Sequence, residues 1–276
     1  MDAASARVAV ASATPANLRV YAIDGALLAL FMISACSSVA LIEHPDSPLR
    51  QQVASAFARR ALVGAAMGLT ALGLIYSPWG KRSGAFMNPA LIVCFVRLGK
   101  LGPRDALGYI VAQFLGGTAG VAVCALLGGS WISHPAVNYV VTEPGAHGVL
   151  AAWFGELLIG FVMLTVVLMV NRTPSLAPRA GLFAAALVAL FITFEAPLSG
   201  MSLNPARSFA SALLAHSFRG FWIYLSAPVS GMLLAVELQC RFLARHSVPC
   251  GKLNHSETVA CFVRCKCLDP NRSNQS

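Results

Sequence analysis

Charge is scarce in this chain of 276 residues, because only 11% of them are Asp, Glu, Lys or Arg. Soluble globular proteins carry about 25% charged residues, and an enzyme of this size would need a charged surface that the chain cannot supply. Disordered, collagen-like and coiled-coil chains are excluded as well, since each needs a polar, periodic or charge-rich sequence. With 57% apolar residues, the composition predicts a membrane protein whose outer surface is covered by the lipid bilayer.

Several functional signatures are also missing. The net charge is +9, but the basic residues form short clusters between apolar runs, without the basic stripe and interleaved aromatics of a nucleic-acid-binding surface. We therefore expect no nucleic-acid partner. The sequence shows neither a nucleophile–base constellation nor a phosphate-binding loop, so we predict no enzyme and no cofactor.

Six apolar stretches have the length of a transmembrane helix or come close to it. They comprise residues 20–42, 61–76, 107–127, 149–170, 181–194 and 221–242. The second and fifth are short, and we expect each to begin a few residues earlier. Residues 1–18 lack the basic-then-apolar order of a cleaved signal peptide, so the first span is expected to be retained. The pattern predicts an all-α membrane protein with six transmembrane helices.

The basic residues predict the orientation of these spans. If the N-terminus is cytoplasmic, 15 of the 20 Lys and Arg residues fall on the cytoplasmic side, in accord with the positive-inside rule. Residues 128–148 contain no Lys or Arg, as expected for a loop on the opposite side. We predict a multi-pass protein of the cell membrane (plasma or inner membrane), with both termini in the cytoplasm.

An internal repeat relates the two halves of the chain. Five residues recur in register, 116 positions apart: Ser83, Gly84, Asn88, Pro89 and Ala90 return as Ser199, Gly200, Asn204, Pro205 and Ala206. Such a register indicates a duplication, with repeats at about residues 20–128 and 149–243. Each repeat holds three spans, an odd number, so the two copies should lie inverted in the membrane.

The repeated Asn-Pro-Ala predicts the start of a helix, because Asn is a preferred N-cap and Pro suits the first helical position. The first such helix, residues 89–96, would be only about 12 Å long, less than half of the roughly 30 Å hydrocarbon core. Two re-entrant half-helices entering from opposite sides could meet at the midplane. The amides of Asn88 and Asn204 would then offer N–H donors to a passing oxygen atom, whereas in the alternative each Asn only caps its own helix.

These motifs resemble those of the aquaporin, or major intrinsic protein, family, over most of residues 20–242. The strongest match is Asn204-Pro205-Ala206 followed by Arg207, and Gln113 and Glu156 also fall in family-like contexts. The resemblance implies an aquaporin-like fold with six transmembrane helices and two half-helices. It also implies a homotetramer with one pore per subunit, and passive passage of water or small uncharged solutes such as glycerol, without ions or protons.

The resemblance also implies where the pore is narrowest. Arg207, Met201 and Ile192 would line the selectivity constriction, with Thr193 as the alternative to Ile192. The second-span position falls near Gly68, although residues 76–82 are longer than usual and blur that register. Water-selective members carry an aromatic residue and a His at the second- and fifth-span positions, and neither is present. We therefore expect a pore less tuned to water, while the choice between water and glycerol stays open.

Acidic residues inside membrane spans are costly and usually functional. The resemblance implies that Asp24 and Glu156, together with Gln113, are buried structural groups that brace the re-entrant loops. In the alternative reading, Asp24 and Glu156 bind a coupling ion, and the protein is a gradient-coupled secondary transporter of a small solute.

The chain is predicted to consist of a channel domain with a cytoplasmic segment on either side of it. Residues 1–19 form an N-terminal segment, residues 20–243 the channel domain, and residues 244–276 a tail with several cysteines. Four of these lie close together and are candidate metal ligands, although their spacing is not a standard zinc pattern: Cys250, Cys261, Cys265 and Cys267. A metal-sensing or partner-docking function of this tail is a third reading.

Overall fold

The computed structural model describes residues 15–242, and this part of the chain is helical without any strand. Its twelve α-helices are, in chain order, α1 (Pro15–Glu43), α2 (Pro48–Gln52), α3 (Ala56–Tyr76), α4 (Pro78–Ser83), α5 (Pro89–Arg97), α6 (Pro103–Gly128), α7 (Ser130–Ser133), α8 (Gly148–Arg172), α9 (Ala180–Phe194), α10 (Ala196–Ser199), α11 (Pro205–Ala215) and α12 (Phe221–Phe242). Two short 3₁₀ turns lie at Asn138–Val140 and Ala177–Arg179.

Six of these helices are long and apolar enough to cross a membrane: α1, α3, α6, α8, α9 and α12. They confirm the six predicted spans. As expected, α3 begins a few residues before the apolar stretch that starts at residue 61, at Ala56. Arg59 lies in this first turn, where its guanidinium is paired with Glu43 at 2.9 Å. Because that charge is compensated, the helix can include it without exposing an unpaired cation to a low-dielectric surrounding.

Glycine allows the long helices to approach closely within each half. A Cβ atom on Gly116 of α6 would lie 2.0 Å from the carbonyl oxygen of Gly25 in α1. In the second half, a Cβ atom on Gly231 of α12 would lie 2.1 Å from the carbonyl oxygen of Leu157 in α8. Equivalent helix pairs, α1 with α6 and α8 with α12, are therefore packed backbone against backbone.

The two half-helices, α5 and α11, pack inside this bundle. Each begins with an Asn N-cap followed by Pro at the first helical position. The Asn side chain accepts a hydrogen bond from a backbone N–H of the first turn, and Pro has no N–H that would need a partner there. They contain 9 and 11 residues, so each is about 14–17 Å long and too short to cross the roughly 30 Å hydrocarbon core. The fold is that of six transmembrane helices with two re-entrant half-helices in an inverted repeat.

Candidate functional site: a lined cavity between two half-helices

The loops that lead into the half-helices share an unusual backbone. In the first loop (residues 84–88), Gly84, Ala85 and Met87 have φ of 96°, 52° and 49°. The second loop (residues 200–204) repeats the pattern at Gly200, Met201 and Leu203, with φ of 79°, 50° and 59°. Left-handed conformations of non-glycine residues cost about 1–2 kcal/mol each, so other contacts must hold both loops in place.

One buried carboxylate braces each loop. Asp24 of α1 accepts hydrogen bonds from the N–H groups of Phe86 and Met87, at 3.0 and 2.9 Å, and from Gln113 Nε2 at 2.8 Å. Asp24 and Gln113 are fully buried. A carboxylate that accepts several hydrogen bonds is far less costly to bury than an unpaired one.

Glu156 of α8 makes the equivalent contacts in the second half. It accepts hydrogen bonds from the N–H groups of Ser202 and Leu203, at 2.6 and 2.7 Å, and from Ser199 Oγ at 2.7 Å. Glu156 is also fully buried. Both acidic residues therefore hold the strained backbone of a loop through two consecutive backbone N–H groups.

A tyrosine hydroxyl supports the entry to each loop. Tyr109 donates to the carbonyl of Ser83 at 2.7 Å, and Tyr224 donates to that of Ser199 at 2.6 Å. Both tyrosines are fully buried, so these hydrogen bonds satisfy polar groups that have no access to water. The duplication seen in the sequence is thus repeated in the bonding of the two loops.

The two asparagines join the halves to each other. Asn88 Oδ1 accepts from the N–H of Ala90, and its Nδ2 donates to the carbonyl of Leu203 at 2.8 Å. Asn204 Oδ1 accepts from the N–H groups of Ala206 and Arg207, and its Nδ2 donates to the carbonyl of Met87 at 2.6 Å. Each Asn therefore caps its own half-helix and also bonds the opposite loop.

A cavity of about 370 Å³ passes both asparagines. Along α3 its wall extends from Arg60 to Ile75, a rise of about 22 Å at 1.5 Å per residue. Its lining is mostly apolar, and the exceptions are few. Polar or charged side chains border it at Glu43, Arg60, Asn88, Ser202, Asn204 and Arg207. Pro89, Ala90, Pro205 and Ala206 do not line the cavity; they form the starts of the two half-helices.

Three of the four residues predicted for the constriction border this cavity: Arg207, Met201 and Ile192. Thr193, the alternative to Ile192, lies instead against α3, since a Cβ on Gly64 would be 2.8 Å from its hydroxyl oxygen. The structure therefore brings Ile192 rather than Thr193 to the lumen.

The position predicted in the second span needs a correction by one residue. Gly68 is absent from the cavity wall, because it faces α9, where a Cβ would lie 2.9 Å from the carbonyl oxygen of Ala185. The preceding residue, Met67, borders the cavity. The side chains of α3 that line it are Arg60, Val63, Met67, Ala71 and Ile75, a row with the 3- and 4-residue spacing of one helix face.

Arg207 is the charged residue of the wall that lies next to the second half-helix start in sequence. Its Nη1 is buried and has no hydrogen-bond partner among the described residues. Its backbone N–H donates to Asn204 Oδ1 at 3.3 Å. Because Arg207 borders the cavity, it brings a charged hydrogen-bond donor group to the wall three residues after Asn204.

Asp24 and Glu156 do not border the cavity. Their oxygen atoms are occupied by the loop contacts described above, and both residues are fully buried. A coupling ion would have to displace these hydrogen bonds, so the site gives no support to the gradient-coupled transporter.

Two charged residues of the wall were not identified as site residues from the sequence. Glu43 and Arg60 line one end of the cavity. From the sequence, Arg60 was only counted among the basic residues on the non-cytoplasmic side. The available signal was the spacing of Arg60, Val63 and Met67 along one helix face, which becomes visible once the helix is known to begin at Ala56.

No group of three His, Cys, Asp or Glu residues that could hold a metal ion occurs within the described part of the chain. The four candidate ligands of the tail, Cys250, Cys261, Cys265 and Cys267, lie outside it. The metal site of the tail stays a prediction.

Comparison with protein families and relatives gives a consistent result. A family model described as "Major intrinsic protein" matches residues 20–238. Aquaporin NIP1-2 of Oryza sativa subsp. japonica is 33% identical over 169 residues, 60% of this chain and 55% of that protein. Aquaporin NIP3-1 of Zea mays is 34% identical over 176 residues, 63% and 56% respectively. The chain thus spans a little over half the length of these curated relatives.

A solved structure has the same fold. The X-ray structure of the aquaglyceroporin from Plasmodium falciparum matches with a TM-score of 0.66 and 19% sequence identity, covering 83% of this chain and 97% of that one. At this identity the likeness concerns the fold alone.

Proposed function

Because the chain belongs to the major intrinsic protein family, we propose that it is a passive transmembrane channel for water and small uncharged solutes. The observation that carries this proposal is the cavity bordered by Asn88, Asn204 and Arg207. The names of the similar proteins, aquaporins and an aquaglyceroporin, support the same activity.

The asparagines would select for molecules that accept hydrogen bonds. An amide nitrogen carries two hydrogens, and in Asn88 and Asn204 one of them is used to bond the opposite loop. The second hydrogen is available to the oxygen atom of a passing solute. Both amides sit at helix N-termini, where the partial positive charge disfavours cations and protons.

Arg207 would supply the second filter. A fixed cation repels cations and hydronium at a constriction, and the guanidinium of a residue that borders the cavity can donate to the oxygen of a neutral solute. The remaining predicted constriction positions are occupied by Met67, Ile192 and Met201, all apolar. Apolar side chains at these three positions favour glycerol-like solutes as well as water.

The same proposal includes the orientation of the channel in the membrane and its assembly. The chain is an integral multi-pass membrane protein, since six of its helices are long and apolar enough to span. We place both termini in the cytoplasm and the Glu43 end of the cavity outside, from the distribution of basic residues. By family resemblance the channel would be a homotetramer in the plasma or inner membrane.

The proposal is tested in proteoliposomes under an osmotic gradient of sucrose, and then of glycerol, read by stopped-flow light scattering. We expect water flux above that of empty vesicles, glycerol flux as well, and no proton leak. Arg207→Ala should admit protons or cations, while Leu91→Ala, at the equivalent position of the first half-helix, is the matched control. Met201→His should reduce glycerol flux more than water flux. Wild-type rates equal to those of empty vesicles for both solutes would reject the channel.

A further inference from the structure

Arg60 is the second arginine in the cavity wall within the described part of the chain, besides Arg207. It lies on the lining face of α3, seven residues before Met67, toward the Glu43 end of the cavity. Two helical turns correspond to about 10 Å along the axis, so a solute entering from that end passes the level of Arg60 before that of Met67.

The guanidinium of Arg60 is held in place from two sides. Its Nε donates to the carbonyl of Thr193 at 3.4 Å, and its central carbon lies 6.0 Å from the ring centroid of Phe57. Thr193 directly follows Ile192, which borders the cavity. The cation is therefore fixed beside the constriction, because a carbonyl and an aromatic face both favour it there.

The charge of Arg60 is not compensated, unlike that of its neighbour. Arg59 pairs with Glu43 at 2.9 Å and donates to the carbonyls of Val53 and Ala54. Glu43 is shared further with Arg50 at 3.7 Å. Arg60 has no carboxylate within 4.0 Å among the residues that the structure describes. Because Arg60 borders the cavity, its guanidinium without a carboxylate partner lies beside any solute at this end.

We propose that Arg60 is a specificity-determining residue that docks small neutral polyols at the entrance, before they reach Arg207. The proposal rests on the channel function. A planar guanidinium with two parallel N–H donors matches two oxygen atoms of one solute, such as adjacent hydroxyls. A water molecule has a single oxygen and gains nothing from the fork.

The test compares glycerol and water permeability of proteoliposomes that carry the full chain. Arg60→Met keeps the length and apolar stem of the side chain but removes the fork, and we expect glycerol permeability to fall about tenfold, the loss of one hydrogen bond to a charged group. Water permeability should change less than about twofold, since water does not need the fork. Arg60→Lys keeps the charge without the fork, and its glycerol permeability should lie between those of the wild type and of Arg60→Met.

Arg50→Gln is the matched control, because Arg50 is an arginine of the same end that does not border the cavity; it should leave both fluxes unchanged. Equal losses of water and glycerol flux in Arg60→Met, or no loss of glycerol flux, would overturn the docking role. Wild-type glycerol flux in Arg60→Lys would overturn docking by the fork. If Arg60→Met does not elute as the wild type does from a sizing column, Arg60→Lys supplies the measurement. A wild-type protein without any flux would instead reject the channel itself.

Discussion

The first and second loops have the same backbone and different side chains. Both run through left-handed residues, and both are held by a carboxylate from a long helix and by a tyrosine hydroxyl. Yet the third residue after the capping Asn is Leu91 in the first half and Arg207 in the second. Ser202 likewise replaces Phe86.

This difference separates the scaffold of the site from its chemistry. The second half carries a hydroxyl chain in which Ser208 Oγ lies 2.6 Å from Thr142 Oγ1 and 2.5 Å from Ser202 Oγ; the first half has Ile92 at the position of Ser208. The hydrogen bonds that occur in both halves place the two half-helices at one cavity. The side chains that differ between the halves give the two half-helices different chemistry. Selectivity can therefore change by substitution while the loops keep their shape.

The carboxylates provide the strongest test of equivalence between the halves. Asp24→Ala and Glu156→Ala each leave two buried backbone N–H groups and one side-chain donor without an acceptor. At about 1–3 kcal/mol for each buried unsatisfied group, we expect a loss of at least about 3 kcal/mol of unfolding free energy in either variant. Thermal unfolding of the purified protein in detergent, followed by fluorescence-detected gel filtration, measures this loss.

Asp24→Asn and Glu156→Gln keep one acceptor oxygen and should give intermediate stability. A wild-type melting temperature in either alanine variant would show that the loop of that half is held by something other than its carboxylate. Unequal losses in the two halves would break the equivalence.

The glycine contacts give a smaller effect. Gly116→Ala and Gly231→Ala each place a methyl group within about 2 Å of a carbonyl oxygen of the facing helix, and overpacking of this kind typically costs about 1–3 kcal/mol. We expect similar losses in the two variants, read as melting temperatures. Gly73→Ala is the control, because nothing lies within 4 Å of its Cβ position, and it should be neutral or slightly stabilising. A destabilised Gly73→Ala would mean that the assay reports helix composition rather than packing.

The hydrogen bonds between the loops should give the smallest effect. Asn88→Ser and Asn204→Ser keep a side-chain oxygen that can cap the half-helix but are too short to bond the opposite loop. We expect each to lose about 1 kcal/mol of stability, the contribution of one hydrogen bond. If one variant loses much more than the other in the same unfolding assay, the two crossing bonds are not equivalent.

The fold could be predicted from the sequence because its determinants are local. Apolar runs of spanning length and Asn-Pro pairs that begin short helices need no tertiary information. The exact start of α3 could not be predicted for the opposite reason. Arg59 and Arg60 mark a polar boundary when only the sequence is considered, whereas their contacts with Glu43 and Thr193 depend on residues that are distant along the chain.

The site was predictable where a motif fixes the register and not where a loop length intervenes. Met201 and Arg207 lie within three residues of Asn204, and both line the cavity. The second-span position was placed near Gly68 although residues 76–82, which include the whole of α4 apart from Ser83, blur the register there. An error of one residue in that interval corresponds to a rotation of about 100° around the helix axis. Such a rotation is enough to predict Gly68 at the wall where the structure has Met67.

The bonds that cross between the loops also set an order of assembly in time. The carbonyl of Met87 accepts from an Asn that lies 117 residues later in the chain, so this acceptor has no partner from the second half when the first loop leaves the ribosome. At roughly 5–20 residues per second, synthesis reaches Asn204 only about 6–23 s afterwards. During that interval only contacts within the first half, such as those of Asp24 and Tyr109, can hold its loop. The channel becomes complete only when the last third of the chain has been synthesised.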